Sequence, residues 1–420
     1  MIKKVIVSLC LLFSAVAMSQ ESNASPYSYY GIGDQKFKGT AENRSMGGLG
    51  ILADSIHINL QNPASYSFLK LTTFTVGGSN TATSFKTSDA TDSANRTTLD
   101  YLAVGLPFKK IGVAFGLMPF TSVGYKIQNT AMGDDGINRF RQFNGTGGLN
   151  RVFFGASYRV TTKFSLGADF QYNFGNIDTK SIIGIPEQSV QYPTRETNNT
   201  NYGGFSFNIG AMYQTKINGK LTWHTSATFT PESTLNTSTE RKIATISFVA
   251  GSDEFVQDEI EVVVPDKDVK LPSKFTFGSG IGEDRKWFAG AEYTFQGSNK
   301  LSNRFDDITS AGFENSYRIS LGGFYIPNFM SFNSYLSRIT YRAGLKYEKT
   351  GLVVNNESID DMGLSLGLGL PIGGNFSNLN LGVEFGKRGT TNADLIQENY
   401  ISLFVGLSFN DRWFVKRKYD

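Results

Sequence analysis

The sequence predicts an all-β fold: a transmembrane, antiparallel, up-and-down β-barrel of about 14 strands, entered by an N-terminal hatch segment. Three observations predict it. Polar and apolar residues alternate strictly in runs that recur from about residue 70 to Phe409. The connectors between the runs alternate short, long, short, long. The runs reach about ten residues, the length a tilted membrane strand needs, against about 5–6 in soluble sheets. Their polar face is rich in Gly, Ser, Asn and Gln and poor in Lys and Glu, which suits a lumen better than open water.

Composition fits this reading. Hydrophobic residues make up 40% of the 420, and Gly reaches 45. Only every second residue of a membrane strand meets lipid, so a barrel need not be hydrophobic overall. A net charge of +3 gives no electrostatic case for nucleic acid.

Residues 1–19 read as a signal peptide: Lys3 and Lys4, an apolar run from Val5 to Ala17, and Ala17-Met18-Ser19 as a small-x-small cleavage site. No later apolar run reaches the ~18 residues of a helical span. The only cysteine, Cys10, lies in the leader, so the mature chain has no thiol chemistry. Residues 20–67 form a second unit. It is Gly-rich, lacks long alternation, and carries Tyr27, Tyr29, Tyr30, Met46-Gly47-Gly48-Leu49-Gly50 and Asn62-Pro63-Ala64. It is too apolar for a free tail, and its size suits a lumenal plug.

The barrel is assigned to 68–410. Its clearest strands are Phe164–Gly175, Gly363–Leu370, Leu379–Gly386 and Ile401–Phe409. Short turns fall near Pro107–Lys110, Arg159–Lys163, Lys216–Lys220, Gly282–Lys286 and Pro371–Ser377, with Ile326–Ser337 long for its class. Long connectors fall near 81–96, 128–148, 176–201, 231–270, 297–315, 350–361 and 388–398. Short turns belong in the periplasm and long loops outside, so both barrel termini are expected in the periplasm of an outer membrane, among lipid and lipopolysaccharide. Trp223, Trp287 and Trp413 all fall at the expected periplasmic face, where interfacial indoles sit. Residues 411–420 form a basic tail with Arg412, Lys416, Arg417 and Lys418, suited to lipid headgroups or a partner.

The leader, the Gly-rich segment ending in Asn62-Pro63-Ala64 and the strand count together resemble the FadL-type outer-membrane transporters of hydrophobic compounds. Arg44, Met46, Gly47, Gly48, Asp54, Asn62, Pro63 and Ala64 are similar to that family's hatch. The last strand and Asn410-Asp411-Arg412-Trp413-Phe414 resemble the Bacteroidota-like version. The resemblance implies a hatched barrel that captures hydrophobic ligands such as long-chain fatty acids outside and releases them sideways into the bilayer, beside a kinked third strand. Here that strand is Ile111–Tyr125, with Gly116, Met118 and Pro119 at the expected opening; proline lacks the ladder donor. An outer-rim proline or a bulge is the simpler alternative.

Inward parity selects Tyr101, Met118, Phe153, Met212, Phe288, Phe324 and Phe404 as apolar lining, packing against the hatch or touching cargo. The same parity places Arg159, Asp169, Glu292, Arg318, Arg342, Lys346 and Glu384 in the lumen, paired with one another or with the plug. Arg318 and Arg342 are candidates for a ligand carboxylate. Enzyme readings are weak: His224 and Ser226 are two apart on one strand, a poor geometry for a hydrolase. No cofactor or metal site is legible. Asp134-Asp135, Asp306-Asp307 and Asp360-Asp361 are acidic pairs, the last two assigned to outer loops as solvated charges or bridges to lipopolysaccharide cations. The function expected is passive uptake of a hydrophobic small molecule. The alternative is a non-transporting barrel subunit of an outer-membrane secretion or barrel-assembly complex, with an outer-membrane or periplasmic protein partner and a hairpin in Phe255–Val264 or the basic tail as its docking element.

Overall fold

The facing rule decides the fold. Along one strand Asp169, Gln171 and Asn173 are buried while Phe170, Tyr172 and Phe174 are exposed. The same inversion holds at Phe153 (2%) against Phe154 (57%), and at Ser402 (0%) against Leu403 (58%). Apolar outside and polar inside is the pattern of a barrel in lipid, and it excludes two stacked sheets with a greasy interior. This computed structural model describes residues 23–132, 135–185, 192–249, 253–304, 311–372 and 377–413. The segment expected to be a leader, with Cys10, and Asp134, Asp306-Asp307 and Lys416-Arg417-Lys418 lie outside those residues.

The described strands are β1 (Asp34–Gln35), β2 (Thr72–Lys86), β3 (Thr91–Phe108), β4 (Ile111–Met132), β5 (Asn138–Arg159), β6 (Phe164–Gly184) and β7 (Thr194–Lys216). Then follow β8 (Leu221–Thr230), β9 (Ser233–Val249), β10 (Asp253–Val263), β11 (Lys267–Leu271), β12 (Lys274–Glu283) and β13 (Trp287–Gln296). The chain closes with β14 (Ala311–Phe313), β15 (Ser316–Tyr325), β16 (Thr340–Val354), β17 (Glu357–Ile372), β18 (Ser377–Arg388) and β19 (Gln397–Asp411). Three wall strands are each written as two pieces. Pro231-Glu232 separates β8 from β9, Pro272-Ser273 separates β11 from β12, and Glu314-Asn315 separates β14 from β15. Counting each pair once, and leaving out β1 and β10, the wall is a closed 14-stranded antiparallel barrel. Closure is the pairing of β19 with β2, from Gln397 opposite Lys86 to Asp411 opposite Thr72.

The wall is uneven in height. β4 and β5 each run 22 residues and β7 runs 23, whereas β13 and β15 run 10. At about 3.3 Å per residue the long strands reach some 70 Å, far beyond a hydrocarbon core of about 30 Å. Much of what the sequence assigned to loops is therefore ladder: 176–184 and 194–201 pair throughout, and the third strand runs to Met132 instead of Tyr125. Above the membrane both strand faces meet water, so the period-2 signal fades while the hydrogen bonds persist. β10 pairs with β9, making the expected hairpin, with Phe255 (58%) and Ile260 (57%) exposed.

Residues 23–71 lie inside the barrel and contact its wall all round. The helical turn α1 (Ala41–Arg44) and the 3-10 turn Pro63–Phe68 form a floor near the short turns. Residues 23–33 form a roof near the long loops. Tyr27 packs with Leu352, Ile359 and Leu395 on one side, and Ile32 packs with Val123, Leu149 and Tyr202 on the other.

Candidate functional site

Asn62 explains why the floor sits where it does. It caps the 3-10 turn by accepting the Ala64 amide hydrogen (3.0 Å), Pro63 has no amide to satisfy, and the Asn62 side-chain NH₂ donates to the Ala211 carbonyl of β7 (3.1 Å). Met46-Gly47-Gly48 presses on the opposite wall. A Cβ on Gly344 would lie 2.1 Å from the Gly47 nitrogen, and Gly47 itself has φ +70°. Only glycine permits that approach on both sides.

Charge fixes the floor more firmly. Arg44 Nε donates to Glu384 (2.7 Å), its Nη2 donates to Ser402 Oγ (2.9 Å), and its guanidinium lies 4.8 Å from the Phe404 ring. Lys346 reaches the same Glu384 (2.7 Å) and Asp361 (3.0 Å). The Gly50 amide donates to Glu292 (2.9 Å), and the Tyr66 hydroxyl donates to Asp169 (3.0 Å). Asn380 donates to Glu42 (2.7 Å). Removing one member of a buried pair costs about 3–5 kcal/mol because the partner is stranded.

The wall is broken at one place. β3 and β4 pair only from Phe108–Ile111 to Leu102–Leu117. Beyond that, β3 continues against β2 and β4 continues against β5, but not against each other. A bulge at Phe120, between Pro119 and Thr121, turns β4 away from its former line. The N-terminal segment fills the opening. In β1, Asp34 and Gln35 pair with Ser122 and Thr121, and the Lys36 amide donates to the Phe120 carbonyl (2.9 Å). Asn23 spans the gap, donating to the Ser122 carbonyl (3.1 Å) on β4 and accepting from Arg96 Nε (3.2 Å) on β3. Gly116, opposite Ala103, stands one pair before the ladder ends: a Cβ there would lie 2.3 Å from the Leu102 carbonyl oxygen.

Between roof and floor lies a cavity of about 460 Å³, lined largely by polar side chains. A family model described as BamG matches residues 1–420. The chain belongs to the BamG family. No curated protein matches it. Among solved structures it is similar to the toluene transporter TbuX of Ralstonia pickettii, at 14% identity over 89% of this chain and 99% of that one, with a TM-score of 0.60. It is similar to the Pseudomonas putida toluene transporter TodX (15%, 91% and 100%, TM-score 0.58). It is also similar to a Pseudomonas aeruginosa FadL homologue (11%, 90% and 98%, TM-score 0.58). At these identities the likeness establishes a FadL-like barrel fold.

In this BamG-family barrel the parity-selected apolar residues all pack on the plug. Tyr101, Met118 and Phe153 are buried with Ile58, Leu60 and Tyr66. Met212 meets Ala64 and Phe68, and Phe288 with Phe324 packs on Met46, Leu49 and Ile51. Phe404 lies under Arg44. Arg318 faces Glu292 (3.8 Å), Arg342 donates to Asn380 (2.9 Å), and Arg159 stacks on Phe68 (4.6 Å). His224 lies edge-on to Phe288 (5.7 Å). The loop assignment of the Asp360-Asp361 pair is corrected: both belong to β17, where Asp360 accepts from the Tyr347 hydroxyl (2.8 Å), and Asp361 is bound to Lys346 and accepts from the Tyr400 hydroxyl (2.8 Å). The sequence reading also missed Asp34, Lys38, Arg151 and Lys274. The last two share strand parity with lumenal Phe153 and Thr276, which could have found them.

Proposed function

We propose that this protein is an outer-membrane channel for passive uptake of small hydrophobic molecules, with short turns in the periplasm, long loops outside, and lateral release through the β3–β4 gap. The observation that carries this is the wall break stoppered by the chain's own N-terminal segment. An apolar cargo gains about 0.8 kcal/mol per CH₂ on entering the bilayer, so a sideways exit is downhill. Withdrawal of β1 and Asn23 would open that exit at the cost of a few backbone hydrogen bonds, each worth about 1 kcal/mol net. Long-chain fatty acids and aromatic hydrocarbons are the cargo classes to try, with Tyr101, Met118 and Phe153 beside the route. TbuX and TodX, which this barrel resembles in fold, are toluene transporters, which supports the choice of the second.

A second reading is favoured by a different observation. The plug is bound by ion pairs on several sides (Asp34 to Arg388, Lys38 to Asp169, Arg44 to Glu384), the central cavity is lined largely by polar side chains, and the β9–β10 hairpin carries exposed Phe255 and Ile260. Those are features of a non-transporting subunit docked in an outer-membrane secretion or assembly complex. Purification from native membranes, followed by uptake of toluene and oleate into vesicles carrying the pure barrel, separates the two. Uptake above empty vesicles supports the channel. No uptake, with stoichiometric protein partners co-purifying, overturns it in favour of the subunit.

A further inference from the structure

Four cations from separate elements converge on the cavity: Lys38 from the plug, Arg151 on β5, Lys274 on β12 and Arg318 on β15. They lie within electrostatic reach of one another: Lys274 feels Arg318, Lys38 and Arg151 as like charges. Two of them have a carboxylate at long range, Lys38 with Asp169 (3.7 Å) and Arg318 with Glu292 (3.8 Å). From a distance Glu348 also acts on Lys274, and Asp169 on Arg151. The other two have no ion-pair partner among the described residues. Arg151 spends its Nε on Asn173 (2.7 Å) and stacks on Phe120 (3.9 Å), which leaves both terminal nitrogens free. Lys274 has no hydrogen-bond partner there at all. Arg318 adds a buried Nε without an acceptor.

Clustered buried cations repel and are costly to desolvate unless an anion joins them. The rest of the lining fits a polyhydroxylated molecule: Ser206, Asn208, Ser226, Thr228, Thr230 and Thr276 bring hydroxyl and amide groups from β7, β8 and β12. We propose that the cavity binds a phosphate-bearing polar molecule, its phosphate held by Arg151, Lys274, Arg318 and Lys38, and its hydroxyl groups facing the Ser/Thr/Asn wall. A phosphate monoester carries about −1.5 to −2 charges at pH 7, and Arg151 and Lys274, which have no ion-pair partner among the described residues, are the cations placed to meet it. Arginine forks suit phosphate oxygens, and lysine supplies a point charge. The site is independent of whether the β3–β4 gap carries cargo.

The phosphate could come from a lipid headgroup or from a free sugar phosphate, and one experiment distinguishes them. The full-length mature barrel is purified from membranes and extracted, and phosphorus is measured in the organic and aqueous phases. Separately, the barrel is refolded in detergent with glucose 6-phosphate, with inorganic phosphate, or with glucose, and binding is titrated. Stoichiometric phosphorus in the organic phase assigns a lipid, and in the aqueous phase a free ester; either supports the site. If native protein is empty, saturable binding of glucose 6-phosphate or phosphate but not glucose supports it. Binding is expected to weaken at least about tenfold in Lys274→Met/Arg151→Gln, and about as much in Lys274→Met alone should the double variant fail to fold. Phosphorus in neither phase with no saturable binding overturns the proposal, as does binding that survives Lys274→Met undiminished.

Discussion

Two seams of this barrel face the same lumen but are closed differently. Between β19 and β2 the ladder is complete over all 15 residues of β2, and the plug meets it through side chains such as Arg44 on Ser402. Between β3 and β4 the ladder stops at Leu102–Leu117, and the plug meets the wall through backbone. At the first seam the plug is a guest held by charges. At the second it is part of the wall. Any motion of the N-terminal segment thus changes the wall at one seam and leaves the other intact, which is what a lateral exit requires.

The largest expected effect lies on the charge-held side. Glu384→Gln leaves Arg44 and Lys346 sharing an uncharged group, and should cost about 3–5 kcal/mol of plug anchoring. The thermal midpoint at which the folded, fast-migrating gel band is lost should fall, while an unchanged midpoint would show that this cluster does not hold the plug. Gly47→Ala is next. It forces a side chain into positive φ with its Cβ 2.7 Å from the Leu345 carbonyl oxygen, and should cost about 1–3 kcal/mol. Amide exchange across residues 44–50 should accelerate, with β2–β3 exchange unchanged.

The smallest effect is a pH dependence of the floor. Burial opposes a charged His57, and Arg342 adds to that. Asp54 (2.6 Å) and Glu42 (3.5 Å) outweigh both and raise its pKa above the ordinary 6.5. A raised pKa means stabilisation that is complete below pH 6.5 and lost as pH climbs through the folded value. Protection in residues 52–58, with each rate corrected for the base-catalysed intrinsic exchange at its pH, should be greater at pH 6 than at pH 9. His57→Gln should flatten that difference, and a profile identical to wild type would remove His57 from the account.

The sequence made the membrane face legible because lipid imposes a strict alternation: Leu364, Leu366 and Leu368 point out, and Ser365 points in. Parity also placed Asp169, Glu292, Lys346 and Glu384 in the lumen, since the ladder carries phase across each strand. The outer wall was misread because water on both faces erases that phase, which is how Asp361 passed for a loop residue. The roof was not legible at all. Tyr27, Tyr29 and Ile32 have no period, and their places are set by distant partners such as Leu395 and Leu235. Of the four cations at the proposed anion site, the sequence offered Arg318 as an anion partner, while Lys38, Arg151 and Lys274 escaped because they come from three further elements that only the fold brings together.

The lateral exit is tested most directly by locking β1 to β4. Gln35 and Thr121 are register partners, and the sequence holds one cysteine, Cys10, so Gln35→Cys/Thr121→Cys on a Cys10→Ser background provides one pair at a separation a disulfide can span. In vesicles, oxidation of this pair should cut toluene entry at least tenfold, and reduction should restore it. Entry that is the same in the oxidised and reduced protein would contradict release between β3 and β4.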